Sequence, residues 1–201
     1  MKRIYFLILA TVLVASISFT QTKTQVRPTW TAWTAIDSMS RPQDATPYSI
    51  NDVYTSTTTA ASMKLFCFHN VANANGGFFK INTARARTDT AFTTSSILCM
   101  LTLFKDSSLV NHIADNAQSP MLGTGTAFKN VIGEIIISLG TTGGGTGSTT
   151  CWGFNTNVGI QGYCASGSKD IYARLTWLTA CTYSNGGKIY FELEGQKEVL
   201  Q

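Results

Sequence analysis

At 201 residues the chain is long enough for one domain with a proper hydrophobic core and too short for two of ordinary size. Only 13% of its residues are charged, and the net charge of +4 leans on Lys2 and Arg3, without which thirteen basic residues face eleven acidic ones. With no Lys/Arg cluster beyond Arg85 and Arg87, the chain lacks the footprint of a nucleic-acid binder, while its hydroxyl- and amide-rich remainder suits an extracellular or particle-bound surface.

Lys2 and Arg3 precede an apolar run from Ile4 to Ala15, with small residues following at Ser16 and Ser18. This is the architecture of a signal peptide, and the run is shorter than the roughly 20 apolar residues of a spanning helix. The expected division is therefore 1–18 as a signal peptide or apolar N-terminal segment, 19–39 as an N-terminal arm, and 40–196 as the folded domain.

Thr29 to Ile36 alternates imperfectly between Thr and Trp or Ala, which suits a strand. Pro42 and Pro47 bracket a loop. The core strands follow: Lys64 to Phe68, then Gly77 to Thr83 behind an Asn75-Gly76-Gly77 turn. Ile97 to Phe104 is apolar on both alternating faces and is expected to be buried on both sides or covered by a neighbouring subunit. Ser107 to Ala117 has room for one short helical turn. Val131 to Leu139 reads as a half-buried strand, with Ile135, Ile137 and Leu139 on one face and Glu134 and Ser138 on the other.

Gly140 to Thr150, GTTGGGTGSTT, is too rich in glycine for a regular element and reads as an exposed loop; the Lys and helix of a phosphate-binding loop are missing. Trp152 to Ile160 and Ile171 to Tyr183 read as strands. Asn185-Gly186-Gly187 predicts a hairpin from the second of these into Lys188 to Glu194, which alternates cleanly with Ile189, Phe191 and Leu193 facing inward. About eight strands separated by turn signals predict an all-β fold, a single antiparallel β-sandwich or jelly roll with a Gly/Thr-rich loop.

Chemistry-bearing residues are sparse. The two histidines, His69 and His112, lie near an apolar strand and near Asp115, but no nucleophile turn accompanies them. Glu192 and Glu194 share the outer face of a terminal strand, the ordinary place for a solvated pair. Calcium would find only Asn111, Asp115 and Asn116 together, too few oxygens for its shell. Trp30, Trp33 and Trp152 offer faces on which a sugar could stack, although core or interface packing is the commoner use of a strand tryptophan. The five cysteines, Cys67, Cys99, Cys151, Cys164 and Cys181, contain no CxxC pair, so no structural zinc site is expected. Cys67 and Cys99 read as small buried hydrophobes. In an exported protein Cys151 and Cys164 are the disulfide candidates, since they bracket a short glycine-containing segment. No catalytic residue, cofactor or metal is assigned.

Three phrases stand out between Arg41 and Asn116: RPQDATPYSINDVY, FHNVANANGGFFKINTARARTD and LTLFKDSSLVNHIADNA. They resemble a broad family of small virion accessory proteins of tailed bacteriophages, of the capsid decoration or cement type and related head or fibre components. That family carries a phrase like RPADTTAYAANDVV, matched by Arg41, Pro42, Asp44, Ala45, Thr46, Tyr48, Asn51, Asp52 and Val53. A glycine turn into a strand (Asn75 to Ile81), an IADNA segment (Ile113 to Ala117) and a late strand, turn and strand (Ile171 to Leu175, Thr182 to Leu193) complete the likeness. The resemblance implies a non-enzymatic β-sandwich on a virion surface, oligomeric, whose partners are capsid or other virion proteins. The N-terminal segment and the five cysteines suit the alternative, a secreted β-sandwich binding module or matrix subunit with a glycan or cell-surface partner.

Overall fold

The computed structural model describes residues 28–90, 92, 96–110, 112–119, 129–140 and 150–199. The expected segment 1–18 and most of the Gly/Thr-rich loop lie outside the described residues. Among the described residues ten strands are formed: β1 (Thr29–Ser40), β2 (Val53–Tyr54), β3 (Phe66–Phe68), β4 (Phe78–Thr88), β5 (Ser96–Phe104), β6 (Val131–Gly140), β7 (Trp152–Asn155), β8 (Ile160–Tyr163), β9 (Ile171–Trp177) and β10 (Lys188–Val199). Short 3-10 turns at Ala60–Ser62 and Ser107–Leu109 interrupt the connections. From Thr29 onward the segment 19–39 is strand, paired along its length with β10.

All the pairings are antiparallel, in the order β1-β10-β4-β7-β6-β5-β9-β2, with β8 also on β4 and β3 also on β9. The sheet curls until its two ends meet, β1 packing against β3. Asp37 of β1 secures this seam, its carboxylate accepting from the backbone N–H of Cys67 at 2.6 Å. The result is the all-β, sandwich-type architecture expected, with the apolar alternates of the strands turned inward.

Ile97, Cys99, Leu101 and Leu103 of β5 meet Ile135, Ile137 and Leu139 of β6, Leu175 and Trp177 of β9, and Phe191 and Leu193 of β10 in one buried cluster. The other face of β5 is divided. Leu98 is exposed, whereas Thr102 and Phe104 are buried beside Arg174, whose guanidinium lies 5.7 Å from the Phe104 ring. At one end of the core Tyr48, Tyr54, Phe92 and Tyr183 gather around Trp177; the Tyr48 and Trp177 centroids are 5.7 Å apart and the Phe92 and Tyr183 rings stack at 4.7 Å. Aromatic pairs of this kind contribute about 0.5–1.5 kcal/mol each beyond the area they bury.

Two sequence expectations are corrected. Asn185-Gly186 makes the expected turn, with Gly186 at φ +69° and the Gly187 N–H donating to Ser184 O at 2.9 Å, but β9 and β10 do not pair. The turn instead carries the chain across the core, from the half of the sheet holding β5 to the half holding β1 and β4. Trp152 to Ile160 is likewise two strands, β7 and β8, separated by Gly159 at φ +63° and both laid against β4.

Candidate functional site

Residues of the first and third phrases converge on one buried polar hub. Arg41, just past β1, donates from Nε to Asp115 Oδ2 at 3.3 Å, from Nη1 to Tyr183 O at 2.9 Å and from Nη2 to Thr46 O. Its guanidinium also lies over the Tyr48 ring, 4.3 Å from the centroid. Asp115 accepts from Tyr48 Oη at 2.8 Å and from the Thr55 N–H at 2.9 Å, and both side chains of the ion pair are fully buried. Burial pushes the Asp115 carboxyl upward, opposed by the Thr55 N–H, Tyr48 and Arg41.

Around the ion pair, Asn51 and Asn116 take left-handed backbone at φ +71° and +60°, a conformation that short amide side chains tolerate. The Asn116 N–H donates to Val53 O at 2.9 Å, and Asp52 Oδ2 accepts from the Ser49 N–H at 2.6 Å. With its amide turned to donate, Asn116 reaches Asp52 Oδ2 and Pro47 O, both at 3.0 Å. Every acceptor of Asp115 is thus directed at a scaffold partner. The conceivable His112–Asp115 pair is not made, because His112 is exposed while Asp115 is enclosed. Asp115 and Asn116 are also spent as calcium ligands, and Asn111 lies outside the described residues.

The cysteine expectations divide. Cys99 is fully buried, and burial raises its thiol pKa. Cys67 is half-buried, its thiol pushed up to about 11 by burial first and by Asp170 and Asp37 next. Cys151 and Cys164 are not brought together. Cys151 lies beside Thr88, accepting from its N–H at 3.0 Å, whereas the Cys164 N–H donates to Gly77 O at 3.1 Å. These are opposite ends of β4, roughly 30–35 Å apart at the rise of a strand, against the ~7 Å between Cα atoms that a disulfide tolerates. Both are free thiols.

The outward face of the sheet presents a different kind of surface. Register places Ile36, Glu192, Arg85 and Phe154 in one row across β1, β10, β4 and β7, and Ser38, Tyr190, Arg87 and Trp152 in the next. Phe154 is 70% exposed, Ile36 62% and Trp152 47%, and Leu98 and Ile136 continue the exposed apolar set on β5 and β6. Glu192 and Glu194 face outward as expected, but Arg85 bridges them at 3.1 and 2.8 Å, offsetting one of the two charges, and Arg87 in the next row brings the face to balance. Arg87 lies over the rings of Tyr190 and Trp152, at 4.4 and 6.0 Å from their centroids. Between the rows is a depression of about 180 Å³ lined by Ile36, Arg85, Arg87, Trp152, Tyr190 and Glu192. Of the other tryptophans, Trp33 is buried, and Trp30 packs edge-on to Phe78 at 5.6 Å with Lys80 Nζ over its ring.

A third cluster escaped the sequence reading. Cys67, His69 and Asp170 are the one group of three metal-ligating side chains brought together among the described residues. Cys67 and His69 are two residues apart, but Asp170 is distant from both in sequence, so only the Cys-x-His spacing hints at the cluster.

No protein-family model matches the chain, and no curated protein is significantly similar to it. Among solved structures it is similar to a chain of mud crab tombus-like virus determined by cryo-electron microscopy, with 9% identity and a TM-score of 0.27 over 94% of this chain and 98% of that one.

Proposed function

We propose that the protein is a non-enzymatic virion structural protein that decorates or stabilises a phage particle surface through protein–protein contacts, with capsid proteins and further copies of itself as partners. The observation that carries this reading is the outward sheet face with Ile36, Trp152 and Phe154 exposed around Arg85, Arg87 and Tyr190. Aromatic residues and arginine are the types enriched at protein interfaces, and a charge-compensated face can be covered without stranding an ion. The hub supports the same reading from the other side. The phrases that resemble virion accessory proteins use their polar residues to tie loops together, which is a scaffold's use of them.

The test is composition of purified particles, with a variant of the face as the second arm. The wild-type protein is expected in particles at a fixed copy number by quantitative mass spectrometry. Phe154→Thr combined with Ile36→Thr keeps strand-compatible residues at exposed positions, so the fold is retained within about 0.5 kcal/mol, while occupancy on the particle falls at least about tenfold, equivalent to ~1.4 kcal/mol of contact. Absence of the wild-type protein from particles overturns the assignment, and full occupancy by a folded double variant removes this face from it.

A further inference from the structure

Cys67 lies on β3 and His69 in the turn that follows its last residue, Phe68, and the two side chains meet on one side of it. The β3–β9 register sets Phe68 opposite Ile171, which brings Asp170, the residue before β9, alongside His69. His69 Nδ1 lies 3.0 Å from Asp170 Oδ2 and 3.6 Å from Cys67 Sγ. All three ligand atoms fall within 4.8 Å of one another.

Both partners address the same ring nitrogen. A nucleophile, base and orienting acid would use the two nitrogens of the imidazole separately, one for the thiol and one for the carboxylate. One Nδ1 cannot serve both, since it carries either a single proton or a single lone pair. Three soft-to-hard donors converging on one point are instead what a borderline cation requires. Zn–S of about 2.3 Å and Zn–N and Zn–O of about 2.0–2.1 Å set tetrahedral edges of roughly 3.5 Å between S and N and roughly 3.3 Å between N and O. The S–N and N–O separations differ from these by only a few tenths of an ångström, and the S–O pair, within 4.8 Å, closes to its own edge of roughly 3.5 Å by rotation of the exposed side chains.

The surroundings fix two of the ligands. Asp170 Oδ1 is occupied by the Asn70 N–H at 2.8 Å, which leaves Oδ2 to face His69. The Cys67 backbone is held by Asp37 at the seam between β1 and β3. Such outer contacts orient ligands before a metal arrives. Beside Cys67 a recess of about 370 Å³, lined also by Tyr172, His112 and Ser107, gives access from solvent.

We propose that Cys67, His69 and Asp170 form a binding site for one divalent transition-metal cation, with Zn²⁺ the best match to the mixed S, N and O donor set and a water at the fourth corner. Binding replaces the thiol proton by a metal–sulfur bond and releases that proton to solvent; no oxidant or reductant is involved. The ion would clamp the three-residue strand β3 to β9 at the place where the curled sheet closes.

The test uses the full chain under reducing conditions, with Co²⁺ as the spectroscopic probe and Zn²⁺ as competitor. A thiolate-to-cobalt charge-transfer band saturating at one equivalent, with visible bands of tetrahedral intensity, is expected, and Zn²⁺ should abolish both. Cys67→Ser removes the charge-transfer band, and His69→Ala and Asp170→Asn each weaken Zn²⁺ binding by at least about tenfold. Because a cation that binds only the folded state stabilises it, Zn²⁺ also raises the melting temperature of the wild type and not of Cys67→Ser. No charge-transfer band in a folded wild-type protein, or a band that survives Cys67→Ser, overturns the site.

Discussion

Asp115 receives hydrogen bonds from Tyr48 and Thr55 and an ion pair from Arg41, so one carboxylate joins the end of β1, the loop before β2 and the segment after the second 3-10 turn. A buried guanidinium without its carboxylate is an uncompensated charge, and breaking such a pair from one side costs about 3–5 kcal/mol. Asp115→Ala is therefore expected to lower stability by that amount in urea denaturation. Adding Arg41→Met removes the stranded charge and should recover part of the loss, giving a clearly sub-additive double-mutant cycle. Additive losses would show that the two residues act independently. The sequence sets Arg41, Tyr48 and Asp115 within the first and third phrases, but does not show them as members of one network. Their separations, 74 residues between Arg41 and Asp115 and 67 between Tyr48 and Asp115, exceed anything a local pattern can report.

At the scale of elements, β10 and its partner β4 show how far alternation reads and where it stops. Ile189, Phe191 and Leu193 face inward as their spacing predicts, and Tyr190, Glu192 and Glu194 face outward. The alternation holds through buried Gly195; it is β4 that slips opposite it, skipping Asn82 between Ile81 and Thr83 so that its inward set passes from Phe79 and Ile81 to Ala84 and Ala86. A Cβ at Gly195 would run into Lys80 O and stand 2.9 Å from Trp33 Cε2, so the glycine is there for close approach of two backbones. Gly195→Ala should cost about 1–3 kcal/mol and speed amide exchange along β10 and β4, whereas Gly140→Ala, with nothing within 4 Å of the added carbon, should leave exchange unchanged. Equal exchange in both variants would contradict the close-approach reading. Strands β5, β6, β9 and β10 were legible because each carries several inward residues in period two. The partner of β9 was not, since Asn185-Gly186 dictates a turn's dihedrals and not which strand receives the chain. Cys151 and Cys164 stay apart for the same reason: a short separation in sequence does not fix closeness, and β7 and β8 both pair with β4 and spread the two thiols to its ends. The Cys67, His69 and Asp170 cluster depends on the β3–β9 register and was equally out of reach of local pattern.

Over the whole molecule, the core is closed by protonated groups that ionise only at high pH. Tyr48, Tyr54 and Tyr183 are buried in the aromatic cluster, and burial, the largest cause in each, raises their phenols above the ordinary 10.0. Burial likewise pushes the thiols of Cys164 and Cys181 from 9.0 up to about 12; at Cys181 Asp52 adds to the rise and Arg41 opposes it. Each group binds its proton more tightly folded than unfolded. Their contribution to stability is therefore fully present below the unfolded pKa and is lost as pH rises through the folded one. The melting temperature should be level up to about pH 9, fall between pH 9 and 10 as unfolded thiols ionise, and fall more steeply above 10 when the tyrosines join. Cys181→Ala should make the first part of that decline shallower, with Cys67, Cys99 and Cys164 still contributing, and leave the steeper part in place, as followed by circular dichroism melts across the range. A melting temperature that holds steady to pH 11 would mean that these phenols and thiols reach solvent in the folded protein, and that the curled sheet is more open at its aromatic end than the packing around Trp177 allows.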